Sequence, residues 1–99
     1  MKISFYASVF ASGLHGGAVY LGDDAFYFRC QKATIDNEYK NLKIPYENIK
    51  SICKGKRVLF FPTTIIETKS GVHYRFLIFN RKKFIKYVNN SCKIINVID

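Results

Sequence analysis

The chain has 99 residues, sixteen Lys and Arg against seven Asp and Glu, and a net charge of +9. That length holds one domain and buries roughly 60–65% of the surface its unfolded form exposes, which excludes a deep cleft between two domains. With 48% hydrophobic residues, nine Phe and seven Tyr, the composition is that of a folded protein and excludes a disordered chain.

The first segment alternates with period two, placing Ile3, Phe5, Ala7 and Val9 on one face of a strand. Gly13, Gly16 and Gly17 interrupt the alternation and predict a hairpin loop from Ala11 to Gly17. Ala18 to Leu21 reads as a second short strand, closed by the turn Gly22-Asp23-Asp24. In the third strand Phe26, Phe28 and Cys30 point one way while Tyr27, Arg29 and Gln31 point the other.

Residues Ala33 to Asn41 are polar and predict a loop. Leu42, Ile44 and Tyr46 form a short strand that Pro45 confines to an edge or a strand end. After the turn at Glu47-Asn48, Ile49 to Cys53 begins another strand, and Lys54-Gly55-Lys56-Arg57 predicts a basic turn. Val58 to Phe61 is apolar and is interrupted by Pro62. Thr63–Thr68 and Val72–Phe79 then predict a hairpin around Lys69-Ser70-Gly71. In its second arm Val72, Tyr74, Phe76 and Ile78 face inward, His73 and Arg75 outward.

The period changes only after Asn80, a good N-cap residue. Phe84, Ile85, Val88 and Cys92 recur at helical spacing, with Arg81, Lys82, Lys83 and Lys86 on the other side. The helix runs about three turns before Asn89-Asn90-Ser91 weakens it. The apolar tail Ile94 to Ile98 either adds a strand or packs on the barrel. About seven short strands and one C-terminal helix therefore predict an all-β domain over residues 1–99, with its core at about 3–90 and a tail at 91–99. A bent antiparallel sheet closes on itself to hide its edges, and Phe84 and Val88 plug one open end.

Three segments carry a resemblance. The run from Gly17 to Phe28, GAVYLGDDAFYF, resembles the second and third strands of GRAM domains. Leu42 to Ile49, LKIPYENI, is similar to that family's short strand, acidic turn and isoleucine. Phe61 to Phe76, FPTTIIETKSGVHYRF, is similar to its late hairpin, which leads into a helix start at Asn80-Arg81-Lys82. The likeness covers residues 3–90 in order. It implies a pleckstrin-homology-like barrel of about seven antiparallel strands capped by an α-helix, with a repertoire of membrane-lipid or protein docking and no catalysis. Phosphoinositide-binding members of the wider superfamily place Lys and Arg around the first hairpin. Here that loop carries only His15, so a lipid contact would use another surface.

The charge surplus favours anionic partners: a lipid surface, an acidic protein or nucleic acid. The basic segment Lys54, Lys56, Arg57, followed by Leu59, Phe60 and Phe61, combines cations with aromatic residues, as docking on an anionic membrane requires. Its plain alternative is a solvated turn with Leu59 and Phe61 in the core. The helix cations Arg81, Lys82, Lys83 and Lys86 are a second candidate, because cations near a helix start run against the macrodipole. Their plain alternative is a solvated helix face. The outward strip Tyr27, Arg29, Gln31 offers a base-stacking surface or simply a cross-strand pair. The tail offers self-association by strand addition.

Catalysis has little support. Ser12, His15 and Asp23 lack a nucleophile elbow, and the glycines lack the ending of a phosphate loop. His15, His73, Cys30, Cys53 and Cys92 are too dispersed for zinc, and no cofactor motif occurs. An odd cysteine count suits a reducing cytoplasm. The N-terminus makes no convincing signal peptide, and no apolar run approaches the ~20 residues that span a bilayer. The expectation is a soluble, non-catalytic binding module, cytoplasmic or peripheral to a membrane.

Overall fold

A computed structural model of the chain describes residues 3–11, 13–30, 37–58, 61–91 and 96–98. Each strand forms where period-two alternation gives it one apolar face. In β1 (Ile3–Phe10) Phe5, Ala7 and Val9 are buried while Ser4 and Tyr6 are exposed. In β3 (Ala25–Arg29) Phe26 and Phe28 are buried and Arg29 is exposed. Between these two lies β2 (Leu14–Leu21), which pairs antiparallel with both. A helical turn α1 (Asn37–Lys40) leads into β4 (Asn41–Pro45), and Pro45 ends that strand as expected. A 3₁₀ turn at Tyr46–Asn48 precedes β5 (Ile49–Val58), β6 (Phe61–Thr68) and β7 (His73–Ile78). Helix α2 (Arg81–Ser91) and β8 (Asn96–Ile98) follow.

The strands form one sheet in the order β4-β3-β2-β1-β7-β6-β5-β8. Seven of them pair antiparallel, and β1 joins β7 through Ala7 opposite Ile78. This is a curled, pleckstrin-homology-like half-barrel with one C-terminal helix, the architecture the pattern and the resemblance both implied. The helix lies on the concave side. Phe84, fully buried, meets Phe5 and Phe26 edge-on at 5.6 and 6.4 Å, and Val88 is buried beside it in the same core cluster. Asn80 carries a positive φ of 59° and its carbonyl accepts from the Lys83 and Phe84 amides, so it starts the helix with its backbone.

Three expectations need correction. Gly16 and Gly17 do not form a loop; they lie inside β2, which begins at Leu14, and the connection from β1 is tight around Gly13 at φ 124°. Lys54-Gly55-Lys56-Arg57 is not a turn but part of β5, with a register irregularity between Lys54 and Arg57. β5 instead runs on to Val58, which pairs with Phe61 at the start of β6. Val72, expected inward, is 46% exposed at the foot of the β6–β7 turn, and of the two alternatives for Phe61 the exposed one holds, at 49%. The tail question resolves in favour of a strand: Asn96–Ile98 pairs parallel with Ser51–Cys53. Ser12, Gln31, Leu59, Phe60, Cys92 and the start of the tail lie outside the described residues.

One buried polar contact ties two turns together. The Tyr46 hydroxyl donates to the Gly22 carbonyl at 2.7 Å, and the Tyr46 amide donates to Asp24. Replacing Tyr46 by Phe leaves the Gly22 carbonyl without that donor, at a cost of about 1–2 kcal/mol. A thermal melt should register a drop of roughly 4–15 °C for a domain of this size. An unchanged melting temperature would show that water or a neighbour replaces the phenol.

Candidate functional site

The structure gathers part of the predicted cationic set around an aromatic edge. Phe61 opens β6 and Phe79 follows β7; both sit on the outward phase of their strands, and their rings meet at 6.3 Å. They are 49% and 46% exposed, a large apolar exposure for adjacent aromatics. Tyr6 extends the edge: its carbonyl accepts the Phe79 amide at 2.9 Å, and its ring is 82% exposed. Phe79 and Tyr6 were not singled out in the sequence, although the strand phase marks both as outward. If Phe76 and Ile78 face in, Phe79 faces out.

Beside Phe61 and Phe79 runs a shallow groove of about 310 Å³, with Pro62, Ile78, Asn80, Arg81 and Lys82 completing its wall. Arg81 is half-buried and does not belong to a solvated helix face. Its Nε donates to Thr64 Oγ1 at 2.8 Å, which holds the start of α2 against β6. Thr64 is fully buried and stands opposite Lys54 in the β5–β6 ladder. Lys54 of β5, whose side chain is exposed, is thus the backbone partner of the threonine that Arg81 of α2 bonds. One step further along, Thr63 Oγ1 donates to the Lys56 carbonyl at 2.6 Å, leaving the exposed Lys56 side chain at the same end of the sheet. Arg57 stands opposite Pro62, a wall residue of the groove.

Lys83 and Lys86 do not join this group. Both are exposed, and they border a separate shallow groove of about 290 Å³ with Ile3, Tyr87 and Asn90. Two faces of one helix explain the split. Residues 82 and 83 lie about 100° apart around the axis, so Lys82 turns to β6 while Lys83 turns to β1.

The third candidate is a set of surface pairs. The Arg29 guanidinium lies over the Tyr20 ring at 5.7 Å, and Lys43 lies over Tyr27 at 5.9 Å. The cations therefore already cover ring faces that a base would need. A further cavity of about 310 Å³, between β4 and the β6–β7 turn, includes Lys43, Lys69, Ser70 and Tyr74. Its hydroxyls serve the turn itself: Thr68 and Ser70 are bonded at 2.9 Å, and Thr68 Oγ1 also bonds Val72. Burial pushes the Tyr74 phenol above its ordinary value, and the nearby Glu38 carboxylate adds to the effect.

His15 Nε2 lies 3.1 Å from the Ala11 carbonyl and braces the first turn. Among the described residues no group of three or more His, Cys, Asp and Glu gathers to hold a metal ion, and no helix is long and apolar enough to cross a membrane.

No family model matches the chain, and no curated protein matches it. It is similar to the crystal structure of the C-terminal domain of an unknown protein from Leishmania infantum. The identity is 20% and the TM-score 0.74, over 90% of this chain and 80% of that one. A likeness at that identity speaks for the fold alone.

Proposed function

We propose that this chain is a non-catalytic, GRAM-like docking module that lies on an anionic membrane surface through the edge formed by Phe61 and Phe79. The observation that carries this reading is the exposed aromatic pair, standing beside Arg81 and Lys82 and at the same end of the sheet as Lys54 and Lys56. Charge and apolar surface then act together. Four cations near an anionic leaflet contribute on the order of 4 kcal/mol. Sinking two half-exposed rings into the interface adds roughly 1 kcal/mol each. The sum, about 6 kcal/mol, corresponds to a dissociation constant in the tens of micromolar, suited to reversible attachment. Lys83 and Lys86 add to the long-range field rather than to the contact.

Co-sedimentation with vesicles at about 0.15 M salt tests this, because exposed charges further apart than about 8 Å are screened there. The wild-type chain should bind anionic vesicles and leave neutral ones. The combined variant Lys54→Glu, Lys56→Glu, Arg57→Glu should lose at least tenfold in affinity, and Phe61→Ser with Phe79→Ser should lose about as much. A single-stranded oligonucleotide that strips the protein from the vesicles would overturn the membrane reading in favour of nucleic acid. Absence of vesicle binding would overturn it in favour of a protein partner.

A further inference from the structure

We infer that the outer face of the sheet carries a second docking surface, and that its occupant is an acidic amphipathic helix of a partner protein. The surface is separate from the aromatic edge and does not depend on the membrane reading.

Strand alternation builds it. Val9, Phe76, Ile66 and Ile52 are buried on the core side of β1, β7, β6 and β5, so the neighbouring residue on each strand faces out. Those neighbours are Phe10, Arg75, Ile65 and Cys53, each partly exposed. Leu14 of β2 stands opposite Phe10 and is 44% exposed. The Arg75 guanidinium lies 4.5 Å from the centre of the Phe10 ring. Arg75 stands opposite Ile65, and Ile65 opposite Cys53, so the five form one row across five adjacent strands.

An outward row on an antiparallel sheet is ordinarily polar where water covers it. Here Leu14, Phe10, Ile65 and Cys53 are apolar, and a cation stands at the centre. Contiguous apolar surface of this kind marks a place of contact. Strands about 4.8 Å apart make the row roughly 19 Å long. A helix rising about 1.5 Å per residue spans it with about 13 residues, long enough to lay an apolar stripe on both sides of Arg75.

Arg75 decides the chemistry of the partner. Stacking on Phe10 holds the guanidinium against the sheet and spares the freedom that an ion pair otherwise costs. Its Nε is buried with no hydrogen-bond acceptor among the described residues. An apolar cover that brought no anion would therefore strand a charge away from water, whereas Asp or Glu at the middle of the helix pairs with it. A second copy of this chain is the poorer occupant. Face to face it would set Arg75 against Arg75, and each copy carries a net charge of +9. Four residues separate Arg75 from Phe79, about 13 Å of strand, so a helix about 10 Å wide leaves the aromatic edge open.

The test selects amphipathic helical peptides of that length, displayed on phage, against the full wild-type chain. Enriched peptides should carry Asp or Glu at the middle of the apolar stripe. They should shift the NMR resonances of Leu14, Phe10 and Ile65 and leave those of Phe61 and Phe79 in place. Arg75→Gln should weaken the best peptide about tenfold or more, with circular dichroism and melting temperature as in wild type. Arg75→Glu should be rescued by the peptide with Lys in place of its central acid, a recovery that a merely structural role for Arg75 does not produce. A library without a binder, or binding that needs no acid or survives Arg75→Gln, would overturn the surface. So would a dimer in sedimentation that Ile65→Ser dissolves. Vesicle binding by Arg75→Gln should stay within about twofold of wild type, since Arg75 lies beyond the screening length of about 8 Å from Phe79, and so the two docking readings fail separately.

Discussion

Truncating Phe84 to alanine should cost about 3–5 kcal/mol, the range for emptying a buried phenylalanine site. Two edge-on aromatic contacts, to Phe5 at 5.6 Å and Phe26 at 6.4 Å, place the loss toward the upper end, since such pairs contribute about 0.5–1.5 kcal/mol beyond area burial. A domain of 99 residues has roughly 5–15 kcal/mol in total, so the loss takes between about a fifth and all of it. Urea unfolding with the midpoint and slope both recorded is the measurement. A loss below about 1 kcal/mol would mean that the helix does not close the barrel, and the start of α2 would then be a poor foundation for the groove.

Gly17→Ala should also destabilise the fold, for a different reason. A Cβ at Gly17 would stand 2.2 Å from the Arg29 carbonyl oxygen and 2.9 Å from Phe28 Cζ. The first neighbour is backbone and cannot swing aside. The β2–β3 ladder must open at Ala18–Arg29, and Phe28 must leave its packing against Phe76, where the ring centroids are 5.3 Å apart. Overpacking of this kind costs about 1–3 kcal/mol and occasionally more. Gly16→Ala is the natural control: its Cβ would meet only Ser8 Oγ at 3.8 Å, ordinary contact. Thermal melts of the two variants should differ by several degrees; equal melts would show that the strand slides to accept the methyl group.

These two glycines also show how far the sequence could be read. Alternation located most strands, because each has one buried face, and the helix emerged where the period changed at Asn80. Glycine is ambiguous by nature. It serves where a chain turns and equally where two backbones come close, and Gly17 is the second kind. The Lys54–Arg57 segment misled for a related reason. Its composition suits a turn, yet β6 supplies an antiparallel partner that holds it extended, and a partner's ladder is not visible within the segment. Phe79 and Tyr6 were legible in principle from strand phase. The grouping of Lys54, Arg81 and Phe61 was not, since it depends on β6 lying between β5 and the helix start. Period cannot tell which cations of a helix face a neighbour and which face water, so Arg81 and Lys83 read alike.

The pairing of β1 with β7 bears on how the molecule is assembled in time. Ala7 finds Ile78 about seventy residues later, and Phe5 finds Phe84 later still. The hairpins β1–β2 and β6–β7 join near neighbours and form in microseconds, but closure must draw together nearly the whole length. Contacts of such separation slow folding to milliseconds or longer. On the ribosome, β1 therefore waits with one long edge unpaired until the segment ending in α2 has emerged. During that interval the open edge is exposed to other strands, and expression at lower temperature or with a holding chaperone should raise the soluble yield more than any change to the finished surface.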